Sequence, residues 1–250
     1  MTATRRAVVD GPDLLDLQRW VSEVMTWPAG SHRWGQYAER TALGEAICRT
    51  ENASACHPGL ASLVDGRLRE LAGEALGEEA TAFKDKLNYK QPGGAGFSPH
   101  QDVLAYPGVR RVLSILVAVD ECTTESGCLW MADPTSRPLP TDDRGVVVDS
   151  IAAGLHWSPA GLAPGDAVCI DGLAPHYSEA NSSGRPRRVL VASYAPSSEG
   201  YGRATYYDSR RSTMARASAR DGRSRISTLA DFEGDQVALA TSTPDACTHG

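Results

Sequence analysis

A proline- and glycine-rich interruption most constrains how this chain can fold. Residues 92–96 read PGGAG and lead into the tripeptide HQD at 100–102. Such a cluster interrupts regular structure, and its glycines let the backbone approach a neighbouring group closely. Pro99 biases Ser98 towards extended backbone. We therefore expect the HQD tripeptide to continue an extended segment.

The HQD tripeptide places a histidine and a carboxylate two residues apart. On an extended strand the side chains of His100 and Asp102 point to the same side, so both can reach one metal ion. A histidine from elsewhere would complete a set of two histidines and one carboxylate, the arrangement that non-haem Fe(II) oxygenases use. The alternative is a polar surface loop that binds no metal.

Two later histidines, His156 and His176, compete for the third position. His176 follows a predicted strand, and Arg187 comes eleven residues later at the start of another. A dicarboxylate that chelates the metal at one end needs a cation for its distal carboxylate, and the arginine fork binds a carboxylate bidentately. Ser178 can add a hydroxyl hydrogen bond, whereas Arg188 has the opposite strand parity. These features favour His176.

The remaining histidines, His32, His57 and His249, lack such a context and are interpreted as surface or hydrogen-bonded residues. Zinc hydrolysis competes for any set of two histidines and one carboxylate. The chain has no HExxH motif, however, and zinc leaves the placement of Arg187 unexplained. A third hypothesis is a metal-binding or sugar-binding jelly-roll module without turnover.

Composition limits the classes of protein to consider. The 250 residues are 41% hydrophobic and carry a net charge of −6, which fits a globular core and gives no electrostatic reason to bind nucleic acid. The sequence predicts no transmembrane helix and no signal peptide. Six cysteines without a CxxC pair indicate reduced thiols in a cytoplasmic protein. The expected binding partner is a small-molecule substrate, and a homodimer is one expected form of assembly.

Hydrophobic periodicity predicts a mainly β fold with added helices. Helices are predicted at 12–25, near 40–48 and at 58–76, and strands at 82–89, 111–119, 128–131, 146–148, 167–170 and 188–194. We expect a single domain, 1–250. Within it, residues 1–80 are helical support, residues 81–195 form an all-β core, either barrel or jelly roll, and residues 196–250 form an Arg/Ser-rich C-terminal segment.

The C-terminal segment allows two interpretations. Its arginines are Arg203, Arg210, Arg211, Arg216, Arg220, Arg223 and Arg225. They suit either an anion-attracting lid or a solvated, partly disordered tail. Little fixed structure is expected after about residue 232.

Several motifs together resemble the phytanoyl-CoA dioxygenase superfamily. They are HQD at 100–102, ESGCLW at 125–130, PGD at 164–166, and His176 with Ser178, Asn181 and Arg187. Members of this superfamily are Fe(II)- and 2-oxoglutarate-dependent oxygenases on a double-stranded β-helix, a cupin-like jelly roll. The stretch KDKLNYKQPGGAGFSPHQD at 84–102 is similar to the corresponding stretch of bacterial 2-aminoethylphosphonate dioxygenases. The resemblance covers about residues 35–195.

The resemblance implies roles for named residues. It implies Fe(II) ligation by His100, Asp102 and His176, and 2-oxoglutarate binding by Arg187 with Ser178. Lys86, Asn88 and Gln101 are expected to line the cosubstrate and substrate side. O2 is the other cosubstrate.

The implied reaction is hydroxylation of a C–H bond in a small polar substrate, with release of succinate and CO2. An aminophosphonate such as 2-aminoethylphosphonate is the expected substrate, and tailoring of a secondary metabolite or a free amino acid is the alternative. Asp102 favours hydroxylation, because halogenating relatives replace this carboxylate with a small residue. The chain reads DPTSR at 133–137 where many relatives have Gly-Ser-His, which leaves the substrate open.

A phosphonate or carboxylate substrate would need cations beyond Arg187. The candidates are Lys86, Lys90, Arg110 and Arg137. Each is alternatively a solvated surface charge.

Overall fold

The computed structural model describes residues 3–29, 31, 33–221, 226, 227, 229 and 231–239. The helices are α1 (Gly11–Met25), α2 (Pro58–Asp65), α3 (Arg67–Leu76), α4 (Asp149–Ala152) and α5 (Arg203–Asp221). The strands are β1 (Ala3–Arg5), β2 (Gly35–Thr41), β3 (Gly44–Glu51), β4 (Ala80–Lys90), β5 (Phe97–His100), β6 (Leu113–Ala118), β7 (Leu129–Met131), β8 (Ser158–Ala160), β9 (Ala167–Asp171), β10 (His176–Ser178), β11 (Arg187–Pro196) and β12 (Asp235–Val237).

Two antiparallel sheets make up the core. The larger sheet has the order β1-β9-β6-β11-β4-β3-β2-β12, and the smaller sheet has the order β5-β10-β7-β8. Buried Val189 and Val191 of the larger sheet cluster with Met131 of the smaller one, so the two sheets pack face to face. The prediction of a mainly β fold with a jelly-roll core and added helices is confirmed.

Strand alternation decides which side chains enter the space between the sheets. In β11, Leu190 and Ala192 join a core cluster that contains residues of α1, α2 and α3. Val189 and Val191 point to the opposite face, towards the smaller sheet. The same alternation in β4 places Leu87 with the helices. Residues of opposite parity in these two strands therefore face the interior between the sheets.

Two local predictions in the first third are wrong. The helix expected near 40–48 is instead the hairpin of β2 and β3, which turns at Gly44 with a φ of +117°. The helix expected at 58–76 is interrupted at Gly66 and forms α2 and α3. A Cβ at Gly66 would lie 2.5 Å from the carbonyl oxygen of Ser62, so a larger residue does not fit this break.

The C-terminal segment has more structure than expected. Helix α5 covers much of the Arg/Ser-rich stretch, and β12 adds an edge strand to the larger sheet through β2. Arg210 forms an ion pair of 2.9 Å with buried Glu51, which fixes α5 against β3. The expectation of little fixed structure after about residue 232 is therefore wrong for Asp235–Val237. Arg223, Arg225, Cys247, His32 and His249 lie outside the described residues.

Other local expectations have mixed outcomes. The predicted strand at 146–148 reduces to a single bridge between Thr141 and Val147. The thiols of Cys48, Cys122, Cys128 and Cys169 are buried and form no disulfide. Within the described part of the chain, no helix combines the length and the apolar character that crossing a membrane requires.

Candidate active site

Three side chains converge at one end of the smaller sheet. His100 ends β5 and His176 begins β10; the two residues pair directly across the sheet, with ring centroids 4.3 Å apart. Asp102 opens a short 3-10 turn, and its Oδ1 lies 4.0 Å from Nε2 of His176. One donor atom from each residue lies within 4.8 Å of the others, and all three residues are buried. This spacing suits a single ion held by all three.

Backbone carbonyls fix the orientation of both imidazole rings. Nδ1 of His100 lies 2.8 Å from the carbonyl oxygen of Ser98, and Nδ1 of His176 lies 3.0 Å from that of Ala174. A carbonyl oxygen can only accept a hydrogen bond, so we assign the proton of each ring to Nδ1. Each Nε2 then carries the lone pair that a metal ion would bind.

Asp102 is held in its ionised form. Burial alone would raise its pKa, but at the low pH where this carboxyl titrates His176 is protonated, and attraction to that ring and to Lys86 outweighs burial and keeps the pKa well below the ordinary aspartate value. The hydroxyl of Ser114 donates a hydrogen bond of 2.7 Å to Oδ2 and lies 3.0 Å from the hydroxyl of Ser193. An ionised carboxylate is the form that binds a cation.

His176 is held in its neutral form. Burial and the neighbouring His100 lower its pKa to about 4, so the ring accepts a metal without first losing a proton near neutral pH. Two neutral imidazoles and one carboxylate are the ligands preferred by non-haem Fe(II), and the residues present therefore fit that ion.

Removing the hydroxyl that orients Asp102 is expected to weaken metal binding. In Ser114→Ala the Oδ2 atom loses its hydrogen bond, and we expect the affinity for Fe(II) to fall by roughly 10- to 100-fold, as for other outer hydrogen-bond partners of metal ligands. Anaerobic calorimetric titration measures this change. Ser150→Ala, at an exposed position on α4, is the control. Equal affinity in the two variants would mean that Ser114 does not tune the site.

Arg187 is a buried cation without a counter-ion. It begins β11, faces the interior and is 4% exposed. One Nη2 hydrogen bond of 2.6 Å goes to the carbonyl oxygen of Gly127, while buried Nε has no partner. Among the described residues no carboxylate lies within 4 Å of its guanidinium. Burial lowers its pKa, and an uncompensated buried charge of this kind is suited to binding an anionic group.

Ser178 and Lys90 complete this cationic end of the interior. Ser178 lies two residues after His176 in β10 and accepts a hydrogen bond of 2.9 Å from the ammonium of Lys90. Lys90 pairs with Arg187 across β4 and β11. Burial and the charge of Arg187 lower the pKa of Lys90 to about 6. The sequence analysis considered Lys90 only as a cation for the substrate, whereas the structure places it beside Arg187.

One cavity connects the three converging residues with the cationic end. It encloses about 900 Å³, part of it open to solvent, and Lys86, Asn88, Arg187 and Ser178 all line it. Gln101 does not line it, which corrects the expectation for this residue. Gln101 has the opposite parity to His100 and Asp102, so its amide faces away from the cavity. Its Nε2 donates a hydrogen bond of 2.6 Å to the carbonyl oxygen of Leu173, and its Oε1 accepts one of 2.7 Å from the backbone N–H of Leu139.

The structure separates the other sequence candidates from this cavity. His156, Arg110 and Arg137 are exposed. The ring of His57 accepts a hydrogen bond of 3.2 Å from Leu60 at the start of α2, which confirms that it is a hydrogen-bonded residue. Arg188 faces away from the interior, as its parity predicts, and binds both carboxylate oxygens of Asp120 at 2.8 Å.

The cavity residues that the sequence did not identify include Arg49, Lys84, Tyr106 and Asp231. Lys84 lies on the same face of β4 as Lys86, so strand alternation could have identified it as a cavity residue. Arg49 lies next to the segment that was wrongly expected to be helical. Asp231 follows the Arg/Ser-rich stretch, yet its Oδ2 lies 3.4 Å from Nδ1 of His100 while its buried Oδ1 has no partner.

Comparison with known proteins gives consistent matches. The family model for phytanoyl-CoA dioxygenase matches residues 17–189. A methylphosphonate hydroxylase of Gimesia maris is 36% identical over 223 residues, which cover 88% of this chain and 86% of the relative. A 2-aminoethylphosphonate dioxygenase of an uncultured bacterium, HF130_AEPn_1, is 37% identical over 203 residues, or 78% of each chain.

Solved structures share the fold. EctD from S. alaskensis, solved with 2-oxoglutarate and 5-hydroxyectoine, superimposes with a TM-score of 0.66 at 22% identity and covers 79% of this chain and 73% of its own. The epimerase SnoN, solved with Fe3+, alpha-ketoglutarate and a nogalamycin compound, gives a TM-score of 0.65 at 19% identity and 78% coverage of both chains. At these identities the likeness establishes the jelly-roll architecture.

Proposed function

The chain belongs to the phytanoyl-CoA dioxygenase family, and from this premise we propose that His100, Asp102 and His176 hold its Fe(II). It is an Fe(II)- and 2-oxoglutarate-dependent dioxygenase. The observation that carries the assignment of ligands is the approach of one donor atom from each residue to within 4.8 Å in a buried setting. Arg187 and Ser178 are proposed to bind the distal carboxylate of 2-oxoglutarate.

Iron and 2-oxoglutarate, when bound, supply oxidative decarboxylation to succinate and CO2, coupled to hydroxylation of a C–H bond with O2. The residues of the chain prepare the site for this chemistry. Asp102 is ionised and His176 is neutral, so metal binding requires no prior proton loss near neutral pH. Arg187 supplies a fixed fork that orients the cosubstrate. Burial of these groups keeps bulk water away from the reacting atoms.

We propose that the substrate is a small phosphonate. Two relatives above 35% identity carry names that refer to phosphonates. The cavity supports the same substrate class, because the basic residues Arg49, Lys84 and Lys86 line it in addition to Arg187 and Lys90 at the cosubstrate end. The carboxylate of Asp102 occupies the third ligand position, which favours hydroxylation over halogenation.

A substrate screen by mass spectrometry tests this function. The protein with Fe(II), 2-oxoglutarate and O2 is expected to add one oxygen atom to 2-aminoethylphosphonate or methylphosphonate, with one succinate formed per product. An identical mixture under nitrogen is the control and should give neither compound. Oxygen addition to a free amino acid or a secondary metabolite, with no change in either phosphonate, would favour the tailoring alternative and contradict the phosphonate assignment.

A homodimer and a cytoplasmic location also belong to the proposal. Light scattering coupled to size-exclusion chromatography tests the dimer: a mass of twice 26.6 kDa is expected, and a mass of 26.6 kDa would contradict it.

A further inference from the structure

The chain uses lysine in one place only. Its three lysines, Lys84, Lys86 and Lys90, all lie in β4, and every other basic side chain apart from histidine is an arginine. The three occupy positions of the same parity and all line the cavity. Lysine is ordinarily a solvent-exposed residue, so it is unusual that all three lysines line one cavity. This placement indicates that the cavity requires the lysine ammonium, which is a compact charge with three hydrogen-bond donors.

The three lysines serve two different ends of the cavity. Lys90 lies beside Arg187, at the proposed cosubstrate end. Lys84 lies six residues earlier, roughly 20 Å away along an extended strand, and pairs with Ser193. Since the hydroxyl of Ser193 lies 3.0 Å from that of Ser114, which binds Asp102, this end of β4 is next to the proposed metal ligands.

Among the residues that the structure describes, no carboxylate lies within 4 Å of the ammonium of Lys84 or Lys86. The ammonium of buried Lys84 lies 3.3 Å from the hydroxyl of Tyr106 and 5.1 and 5.4 Å from the ring centres of Tyr106 and Tyr206. Within the described part of the chain, the ammonium of Lys86 has no hydrogen bond and no ion pair. Aromatic faces stabilise an ammonium only partly, so both charges lack a full counter-ion.

Glu51, one of the acids whose charge acts on both lysines, is already shared by two arginines. Glu51 contacts Arg210 at 2.9 Å and Arg49 at 3.5 Å. Arg49 also donates to the side-chain oxygen of Asn88 at 2.8 Å. The cluster therefore carries more positive than negative charge. Burial, followed by repulsion from Lys84, lowers the pKa of Lys86 to about 7, and burial is also the largest cause that lowers the pKa of Lys84 to about 8.

We propose that Lys84 and Lys86, beside Arg49 and Asn88, form the subsite that binds the phosphonate group of the substrate. This inference rests on the function proposed above and extends it by naming the residues that select the anion. A phosphonate dianion has three oxygens in a tetrahedral arrangement, which two ammonium groups can bind from different directions. A planar carboxylate offers fewer acceptors and half the charge. The phosphonate subsite lies next to Asp102, whereas the cosubstrate carboxylate binds at the other end.

Because the chain has three lysines, each can be observed separately by NMR. Protein labelled with 13C at the lysine ε-carbons, loaded with Zn(II) to avoid paramagnetic broadening and saturated with 2-oxoglutarate, is titrated with 2-aminoethylphosphonate. Lys→Met variants assign the signals. We expect the Lys84 and Lys86 signals to shift and their apparent pKa values to rise, since a bound anion favours the charged ammonium. β-Alanine, the carboxylate counterpart, should give smaller shifts at equal concentration.

The NMR outcomes separate the two proposals. A shift of the Lys90 signal with 2-oxoglutarate, together with unchanged Lys84 and Lys86 signals in saturating phosphonate, overturns the phosphonate subsite and leaves the cosubstrate assignment intact. The absence of any response to 2-oxoglutarate contradicts the proposed function, and the subsite with it.

Kinetics provides an independent test. In Lys84→Met and Lys86→Met, the loss of a charged hydrogen bond is expected to raise the KM for the phosphonate by roughly 10- to 100-fold. The KM for 2-oxoglutarate should rise much less than the KM for the phosphonate, because Arg187 and Ser178 at the cosubstrate end are unchanged. Lys86→Arg should restore part of the affinity, and Arg137→Met removes an exposed cation as the control. An unchanged KM in both lysine variants overturns the proposal.

Discussion

Asp102→Ala is expected to reduce succinate formation by roughly 1,000-fold or more, because a catalytic metal contributes several kcal/mol and the variant removes the anionic ligand that retains it. The buried rings of His100 and His176 stay in place, since backbone carbonyls orient them. Two neutral ligands alone do not balance the charge of a divalent ion in a buried site. The measurement is succinate released with saturating Fe(II), 2-oxoglutarate and O2.

The control for this variant is Asp143→Ala, which removes an exposed carboxylate. Its succinate rate should equal that of the wild type. Thermal unfolding of the metal-free proteins shows whether Asp102→Ala remains folded. A folded Asp102→Ala variant with wild-type turnover would exclude Asp102 from the metal site.

Arg187→Met is expected to raise the KM for 2-oxoglutarate by roughly 30-fold or more, the effect of truncating one partner of a buried charge pair. Methionine has no donors, so the distal carboxylate of the cosubstrate would lose its counter-charge. The melting temperature of the ligand-free protein should not fall in parallel. Arg187 has an unpartnered Nε and no carboxylate within 4 Å in the described chain, so an apolar replacement removes a desolvation cost.

The neighbouring residue provides a matched control. Arg188 lies on the opposite face of β11 and binds Asp120 with two hydrogen bonds of 2.8 Å. Arg188→Met should therefore lower the melting temperature and leave the KM for 2-oxoglutarate unchanged. Arg187→Lys keeps a charge but loses the fork, and an intermediate KM is expected. If Arg187→Met and Arg188→Met gave the same KM, Arg187 would not be the cosubstrate cation.

Strand periodicity predicted part of the interior of the site, and the resemblance to relatives supplied other residues. Because side chains alternate along a strand, the sequence alone separated Arg187 from Arg188, whereas Lys86 and Asn88 were expected in the site only from the resemblance to relatives. Gln101 lies between His100 and Asp102 and has the opposite parity, which the expectation for this residue did not take into account. The resemblance to relatives favoured Gln101 as a lining residue. In the structure its amide instead forms hydrogen bonds with the backbone of Leu173 and Leu139.

Long-range pairing set the limit of sequence reasoning. Residues 40–48 contain alanine, glutamate and leucine, which favour a helix locally, yet β3 forms because Glu51 and its neighbours pair with β4. That pairing brings Arg49 into the cavity. In the same way Asp231 reaches His100 because the C-terminal segment pairs with β5: Phe232 bridges Phe97, and the backbone N–H of Ser98 donates a hydrogen bond of 2.8 Å to the carbonyl oxygen of Asp231. Neither contact has a local signal in the chain.

The claim on which the account depends is that His100, Asp102 and His176 bind one Fe(II). Anaerobic calorimetric titration of Fe(II) into the protein with 2-oxoglutarate tests it directly. The account predicts binding of one equivalent by the wild type and loss of that binding event in both Asp102→Ala and His176→Ala. Tight binding of one equivalent that persists in both variants would contradict it.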